Sequence, residues 1–111
     1  MVRNRVVLSG RISEKEALRY TPAGVPALNF KISHASEQVE AGNRREVQCE
    51  VASLALDQAA LLASRLNVGD DVLVEGFLAR RSRNSTQLVL HVNKVEFSAG
   101  AGSKPAATNQ T

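Results

Sequence analysis

Residues 46–79 read EVQCEVASLALDQAALLASRLNVGDDVLVEGFLA, and the period of their apolar positions changes twice. From Glu46 to Ala52 the period is two: Val47, Cys49 and Val51 fall on one side, Glu46, Gln48 and Glu50 on the other. That is the pattern of a strand with one buried face. From Leu54 to Leu66 it lengthens. Leu54, Ala55, Leu61, Leu62 and Leu66, with the alanines between them, suit a helix of about three turns. Ser53 or Leu56-Asp57 starts this helix, and Asn67-Val68-Gly69 ends it with Gly69 as the C-terminal cap. From Asp71 to Ala79 the period returns to two, with Val72, Val74, Gly76 and Leu78 on one side.

The flanking sequence extends the strand reading. Arg5–Ser13 alternates Val6, Leu8, Gly10 and Ile12 against Arg5, Val7, Ser9 and Arg11. Glu14–Ala17 interrupts it as a bulge or bend. Thr21-Pro22-Ala23-Gly24 carries turn chemistry, because proline fixes φ and glycine permits φ > 0. Pro26 excludes a central ladder position at that point. Ala27–His34 alternates again, with Leu28, Phe30 and Ile32 inward and Asn29, Lys31 and Ser33 outward. Glu37–Arg45 is polar, centred on Gly42-Asn43, and reads as a long loop. Arg80–Thr86 is a basic loop, and Gln87–Phe97 is the last strand. The order β-β-β-α-β-β predicts an all-β domain: a five-stranded Greek-key barrel with one helix between strands three and four, the OB-fold. Gly10 and Gly76 sit where a small barrel coils sharply. Residues 1–97 form this domain. Residues 98–111 hold no bulky apolar side chain and read as a disordered tail.

Composition narrows the functional classes. A chain of 111 residues is one domain's worth, and 43% hydrophobic with 23% charged residues is ordinary for a globular protein. No apolar run approaches the roughly 18 residues of a membrane span, and no signal-peptide core is visible. The single cysteine, Cys49, allows no intrachain disulfide and no cysteine-rich zinc site, so the cytoplasm is the expected compartment. By alternation Cys49 is a small buried hydrophobe. His34 and His91 lack metal-ligand spacing and read as surface or hydrogen-bonded histidines. Asp70-Asp71 closes a helix–strand loop, and Gly100 and Gly102 lie in the tail rather than in a phosphate-binding loop. No catalytic constellation, metal site or cofactor is expected.

The net charge of +3 is compatible with a polyanion, but the positions of the cations say more. Arg80, Arg81 and Arg83 crowd the loop between strands four and five. Arg44 and Arg45 lie where the long loop enters strand three. Lys31 faces outward on strand two, and Arg19 precedes the first turn. OB-folds bind nucleic acid on the face of strands two and three, flanked by the one–two and four–five loops. The clusters therefore converge on one predicted groove, suited to collecting phosphates. Aromatic residues are only 4%, with no tryptophan. Tyr20 is the stacking candidate; Phe30 and Phe97 read as packing; arginine planes are able to stack in place of rings. Val7, Leu73, Phe77 and Val89 are outward apolar residues in excess of a monomer's needs, and predict a homodimer interface.

Four segments resemble a known family. Asn4-Arg5-Val6-Val7-Leu8-Ser9-Gly10-Arg11-Ile12 is similar to the first strand of single-stranded-DNA-binding proteins. Arg19-Tyr20-Thr21-Pro22-Ala23-Gly24-Val25-Pro26 narrows the match, as do Val68-Gly69-Asp70 with Val74-Glu75-Gly76-Phe77-Leu78, and Leu88-Val89-Leu90-His91-Val92. Together they resemble the primosomal replication protein N family, over residues 4 to about 97. The resemblance implies an OB-fold homodimer that binds single-stranded DNA at stalled forks and hands off to the primosomal helicase and helicase-loading partners. It implies DNA contacts at Arg19, at Arg44, Arg45 and Gln48, and at Arg80, Arg81 and Arg83. Where better-known members carry aromatic residues, this chain has Asn43 and Gln48, so stacking at those places is absent. Nor does Thr108-Asn109-Gln110-Thr111 form the acidic, phenylalanine-ended tip of the larger single-strand-binding proteins. A protein-interaction adaptor with secondary DNA contact is the competing expectation.

Overall fold

The N-terminal alternation is realised as β1, Val6–Lys15, with Ile12 buried and Val7, Ser9 and Arg11 exposed. In this computed structural model, which describes residues 1–98, it is followed by β2 (Arg19–Tyr20), β3 (Pro26–Glu40) and β4 (Asn43–Leu56). Helix α1 (Gln58–Ser64), β5 (Asp71–Arg80) and β6 (Leu88–Phe97) complete it. Apart from Ser98, the expected tail lies outside the described residues.

The strands close on themselves. The first half of β1 pairs antiparallel with β5, and its second half with β3. The circuit then runs from β5 to β6, β4 and back to β3, with β4 and β6 parallel. This is the expected five-stranded barrel, and the two-residue β2 is added along β3. One strand serves two neighbours because β1 carries a bulge: its register with β3 shifts between Ile12 and Glu14. A bulge bends a strand and increases its twist, which lets a short sheet close. The interruption expected at Glu14–Ala17 is this bulge, lying slightly upstream.

The inward faces fill the barrel. Ile12, Leu28, Phe30, Ile32, Val72, Val74, Leu90 and Val92 form the core, and α1 stoppers one end with the buried Ala60 and Ala63. Small residues on the helix let it sit close to the strand ends. Gly10 and Gly76 mark the tightest approaches. A Cβ at Gly10 would lie 2.5 Å from the Ser33 carbonyl oxygen, and one at Gly76 only 1.8 Å from that of His91.

Five expectations are corrected. Phe97, read as packing, is 59% exposed at the end of β6. Residues 37–45 are not a loop. β3 and β4 pair without a break to Glu40↔Asn43 and turn through only Ala41 and Gly42, at φ 53° and 80°. Positive φ at both central residues is the arrangement of a type I′ hairpin turn. The resulting ribbon projects beyond the barrel with both faces of its tip solvated, so residues 37–45 show no apolar alternation to read. The helix is shorter than its periodicity suggests. Leu54 and Ala55 stay in β4, where Ala55 pairs with Leu28 and is buried, and α1 begins only after Asp57. Its C-cap is Arg65; Gly69 lies in the next turn at φ 99°, donating its N–H to the Ile12 carbonyl at 2.8 Å. Cys49 is exposed, because β4 on the ribbon side of Val51 has left the barrel and has no core to face. Val89, expected outward, is only 8% exposed. It packs beside Ala52 and Arg81 on the floor of a surface cleft, so it is withdrawn from any apolar surface offered to a second copy.

Candidate nucleic-acid interface

Strand alternation puts Asn29 and Lys31 of β3, with Ala52 and Leu54 of β4, on the outer face of the barrel. β2 brings Arg19 to one side of that face. The end of β5 brings Arg80, and the β5–β6 loop brings Arg81, to the other. Together they line a cleft of about 440 Å³, floored by the buried Phe30, Ser53 and Val89. Its walls hold five cations, Lys15, Arg19, Lys31, Arg80 and Arg81, against the carboxylates of Glu14 and Glu16. The cleft alone thus carries a net charge of +3, as large as that of the whole chain.

The cations differ in how far they are already engaged. Arg19 Nη2 donates to Asn29 Oδ1 at 3.0 Å, a neutral partner that orients the guanidinium without cancelling its charge. Lys31 Nζ stands 3.7 Å from the Glu14 carboxylate, a loose exposed pair. The Lys15 ammonium donates to the Ser64 carbonyl at 3.0 Å and to the Leu66 carbonyl. It satisfies carbonyls left over at the end of α1 and so ties the helix to β1. Among the described residues, Arg80, Arg81 and Arg83 make no ion pair. Their loop is held by its own hydrogen bonds: Arg81 N–H to the Gln87 carbonyl at 2.9 Å, and Ser85 N–H to the Ser82 carbonyl at 3.1 Å. Uncancelled guanidinium groups on an ordered loop beside a concave face are suited to a phosphate chain.

The expected site is thus brought together in part. Arg19, Lys31, Arg80 and Arg81 share the cleft. Arg83 lies further along the same loop, exposed. Tyr20 is exposed on β2, paired with Pro26, and does not line the cleft. Arg44 and Arg45 are out on the ribbon. Arg44 Nη1 lies 3.2 Å from the Glu37 carboxylate, and Arg45 Nη1 lies 2.6 Å from that of Glu40. Gln48 sits on the same ribbon, beside Glu37 and Glu46. With Glu37, Glu40 and Glu46 against two arginines, residues 36–47 are net negative.

Three contributors escaped sequence reasoning. Lys15 and Asn29 act through neighbours that only the closed barrel supplies. The third is a ring pair. Phe77 on β5 and His91 on β6 face each other in register and stack, with centroids 5.1 Å apart and planes 13° from parallel. Both are outward positions of adjacent strands, which was the available signal. Among the described residues no group of three or more His, Cys, Asp or Glu is placed to hold a metal. No helix among them is long and apolar enough to cross a membrane.

Comparison with known proteins agrees with this geometry. A family model described as another single-strand binding protein family matches residues 4–94. The replication restart protein PriB of Nitrosomonas europaea is 43% identical over 90 residues, covering 81% of this chain and 83% of the relative. The solved structure of PriB from Ralstonia solanacearum superposes with a TM-score of 0.78 at 33% identity, over 86% of this chain and 98% of that one. A single-stranded DNA binding protein from Thermus aquaticus has the same fold, with a TM-score of 0.72 at 22% identity.

Proposed function

Because this chain belongs to the PriB family of replication restart proteins, within the single-strand binding fold, we propose that it is a single-stranded-DNA-binding accessory protein of the bacterial primosome. The observation that carries the reading is the cleft in which Arg19, Lys31, Arg80 and Arg81 meet on the outer face of β3 and β4. Phosphates bind there by displacing counterions, so affinity is electrostatic, tolerant of sequence and steeply dependent on salt. The protein stimulates or bridges the primosomal helicase and the helicase-loading partners, and acts in the cytoplasm without catalysis of its own. It works as a homodimer through the β1–β5 side. Two things support that. Val6–Leu8 pair with β5 on one edge only, and Val7 on that strand and Leu73 on the neighbouring β5 are exposed.

The test is fluorescence anisotropy of a labelled deoxythymidine oligomer at about 50 and 200 mM salt. Micromolar or tighter binding that weakens steeply with salt, and that is lost on replacing Arg80, Arg81 and Arg83 by alanine, is the expected result. A second reading has its own observation in favour: the ribbon arginines are neutralised by Glu37 and Glu40, and no ring stands at Asn43 or Gln48. On that reading the protein is chiefly an adaptor for the helicase, with weak DNA contact. Absence of binding at low salt, together with retention of the helicase on immobilised protein, would select it.

A further inference from the structure

The ring pair opens on a groove that the cationic cleft does not account for. Phe77 is 40% exposed, and with His91, Leu54, Leu56, Ala59 and Val92 it lines a shallow apolar groove of about 290 Å³. Leu54 and His91 are also walls of the cationic cleft, so the two depressions are continuous. Asp57, Gln58 and Asn93 stand at the groove and supply hydrogen-bonding groups at its margin. The volume is at the bottom of the roughly 300–1,000 Å³ range of ligand pockets. It suits a single flat ring system better than a helix or a strand of a protein partner.

We propose that this groove receives one unstacked nucleobase, laid against the Phe77–His91 pair, from a strand whose phosphates lie in the adjoining cleft. The inference rests on the single-stranded DNA reading above. It assigns to β5 and β6 the stacking role that the ribbon lacks. Every base has a π-face, so such a site stacks without choosing sequence. An apolar floor with a polar margin matches a base, whose faces are apolar and whose edges carry donors and acceptors. Phosphate binding next door fixes the backbone, and the base then binds as a tethered second group, which raises its effective concentration.

The experiment uses the full chain, a deoxythymidine oligomer and an abasic oligomer of equal length. Phe77→Leu keeps apolar packing while removing the ring, and Phe77→Ala is its companion. Both should weaken thymidine-oligomer binding by about tenfold at fixed salt. The abasic oligomer should bind the variants and the parent protein alike, and the salt slope should stay unchanged because no phosphate contact is lost. The site is overturned if Phe77→Leu binds the thymidine oligomer as the parent does while Arg80→Ala and Arg81→Ala still flatten the slope; the cleft reading then survives alone. It is equally overturned if Phe77→Leu halves the mass in light scattering and leaves per-site affinity intact, for then the rings serve a subunit contact. If the parent protein binds neither oligomer, it is the DNA reading itself that fails.

Discussion

Arginines of equal charge are not equivalent here, and the difference lies in what stands beside each. Arg80 and Arg81 reach a cleft with their charge uncancelled, whereas Arg44 and Arg45 are each within 3.2 Å of a glutamate on the opposite ribbon strand. Replacing Arg80 and Arg81 by alanine should therefore flatten the logarithmic salt dependence of DNA binding by about 1.4, at roughly 0.7 per phosphate contact on a single strand. Arg44→Ala with Arg45→Ala should leave the slope within error, since the counterions they would release are already replaced by Glu37 and Glu40. Titrations at four salt concentrations measure both. Position also decides which glycine tolerates a side chain least. Gly76→Ala sets a methyl against the His91 carbonyl, a backbone atom held on both sides by β4 and β5. We expect a loss of about 3 kcal/mol or more in urea denaturation. These distinctions explain what was legible at this scale. Gly10 and Gly76 could be read as points of close approach because glycine inside an alternating strand has few other uses. The burial of Val89 and the exposure of Cys49 could not. Alternation gives a face, but not what covers that face, and the cover comes from strands remote in sequence.

The elements were legible wherever they border the core. β1, the first part of β3 and most of β5 alternate between inward and outward residues, and the barrel order followed from them; β6 departs from alternation where Val89 and Leu90 are both buried. The ribbon and the start of α1 were not legible. The ribbon is stabilised by its ladder and turn rather than by burial, so polarity alone made it look like a loop. Leu54–Leu56 mislead for a different reason: they are apolar on successive positions because Ala55 points into the barrel core while Leu54 and the exposed Leu56, on the outer face of β4, line the apolar groove. The turn offers a test at this scale. Ala41 is held at φ 53°, a conformation that costs an ordinary L-residue about 1 kcal/mol or more and that asparagine tolerates. Ala41→Asn should slow hydrogen exchange of the amides between Val39 and Arg44 about fivefold while leaving the core amides unchanged. A second test concerns the entry of β1. Arg5 Nε lies 2.9 Å from Glu75 Oε2, and this bond holds the Glu75 carboxyl below the usual carboxylate range. A carboxylate lowered in the fold contributes its stability above the unfolded value, near about 4.3, and loses it as the pH falls through the lowered one. Exchange of the Val6 and Val7 amides should therefore accelerate selectively in that acidic window, and Glu75→Gln should abolish the pH dependence.

For the whole molecule the decisive question is how many clefts one particle carries. The barrel is closed by β1 only along the second half of that strand. Across Val6–Leu8 the edge away from β5 has no strand partner among the described residues, although the His34 imidazole donates from Nδ1 to the Ser9 carbonyl at 2.7 Å just beyond. An exposed edge beside apolar side chains is a template for pairing with another chain, and a twofold axis there would satisfy both copies at once. Val7, 50% exposed, lies on that edge strand, and Leu73, 37% exposed, lies on the neighbouring β5. Light scattering should accordingly give twice the 11.9 kDa of one chain at micromolar concentration, and Val7→Lys should return the single-chain mass. The functional consequence can be separated from the structural one. Two clefts on one particle engage a long strand with the avidity of linked sites, whereas an oligomer short enough to fill one cleft gains nothing from the second. Val7→Lys should then lower affinity for a long deoxythymidine strand by about a hundredfold and leave the short oligomer unaffected. A parent protein that scatters as a single chain would remove the dimer. A dimer whose long-strand affinity survives Val7→Lys would show instead that each cleft acts alone.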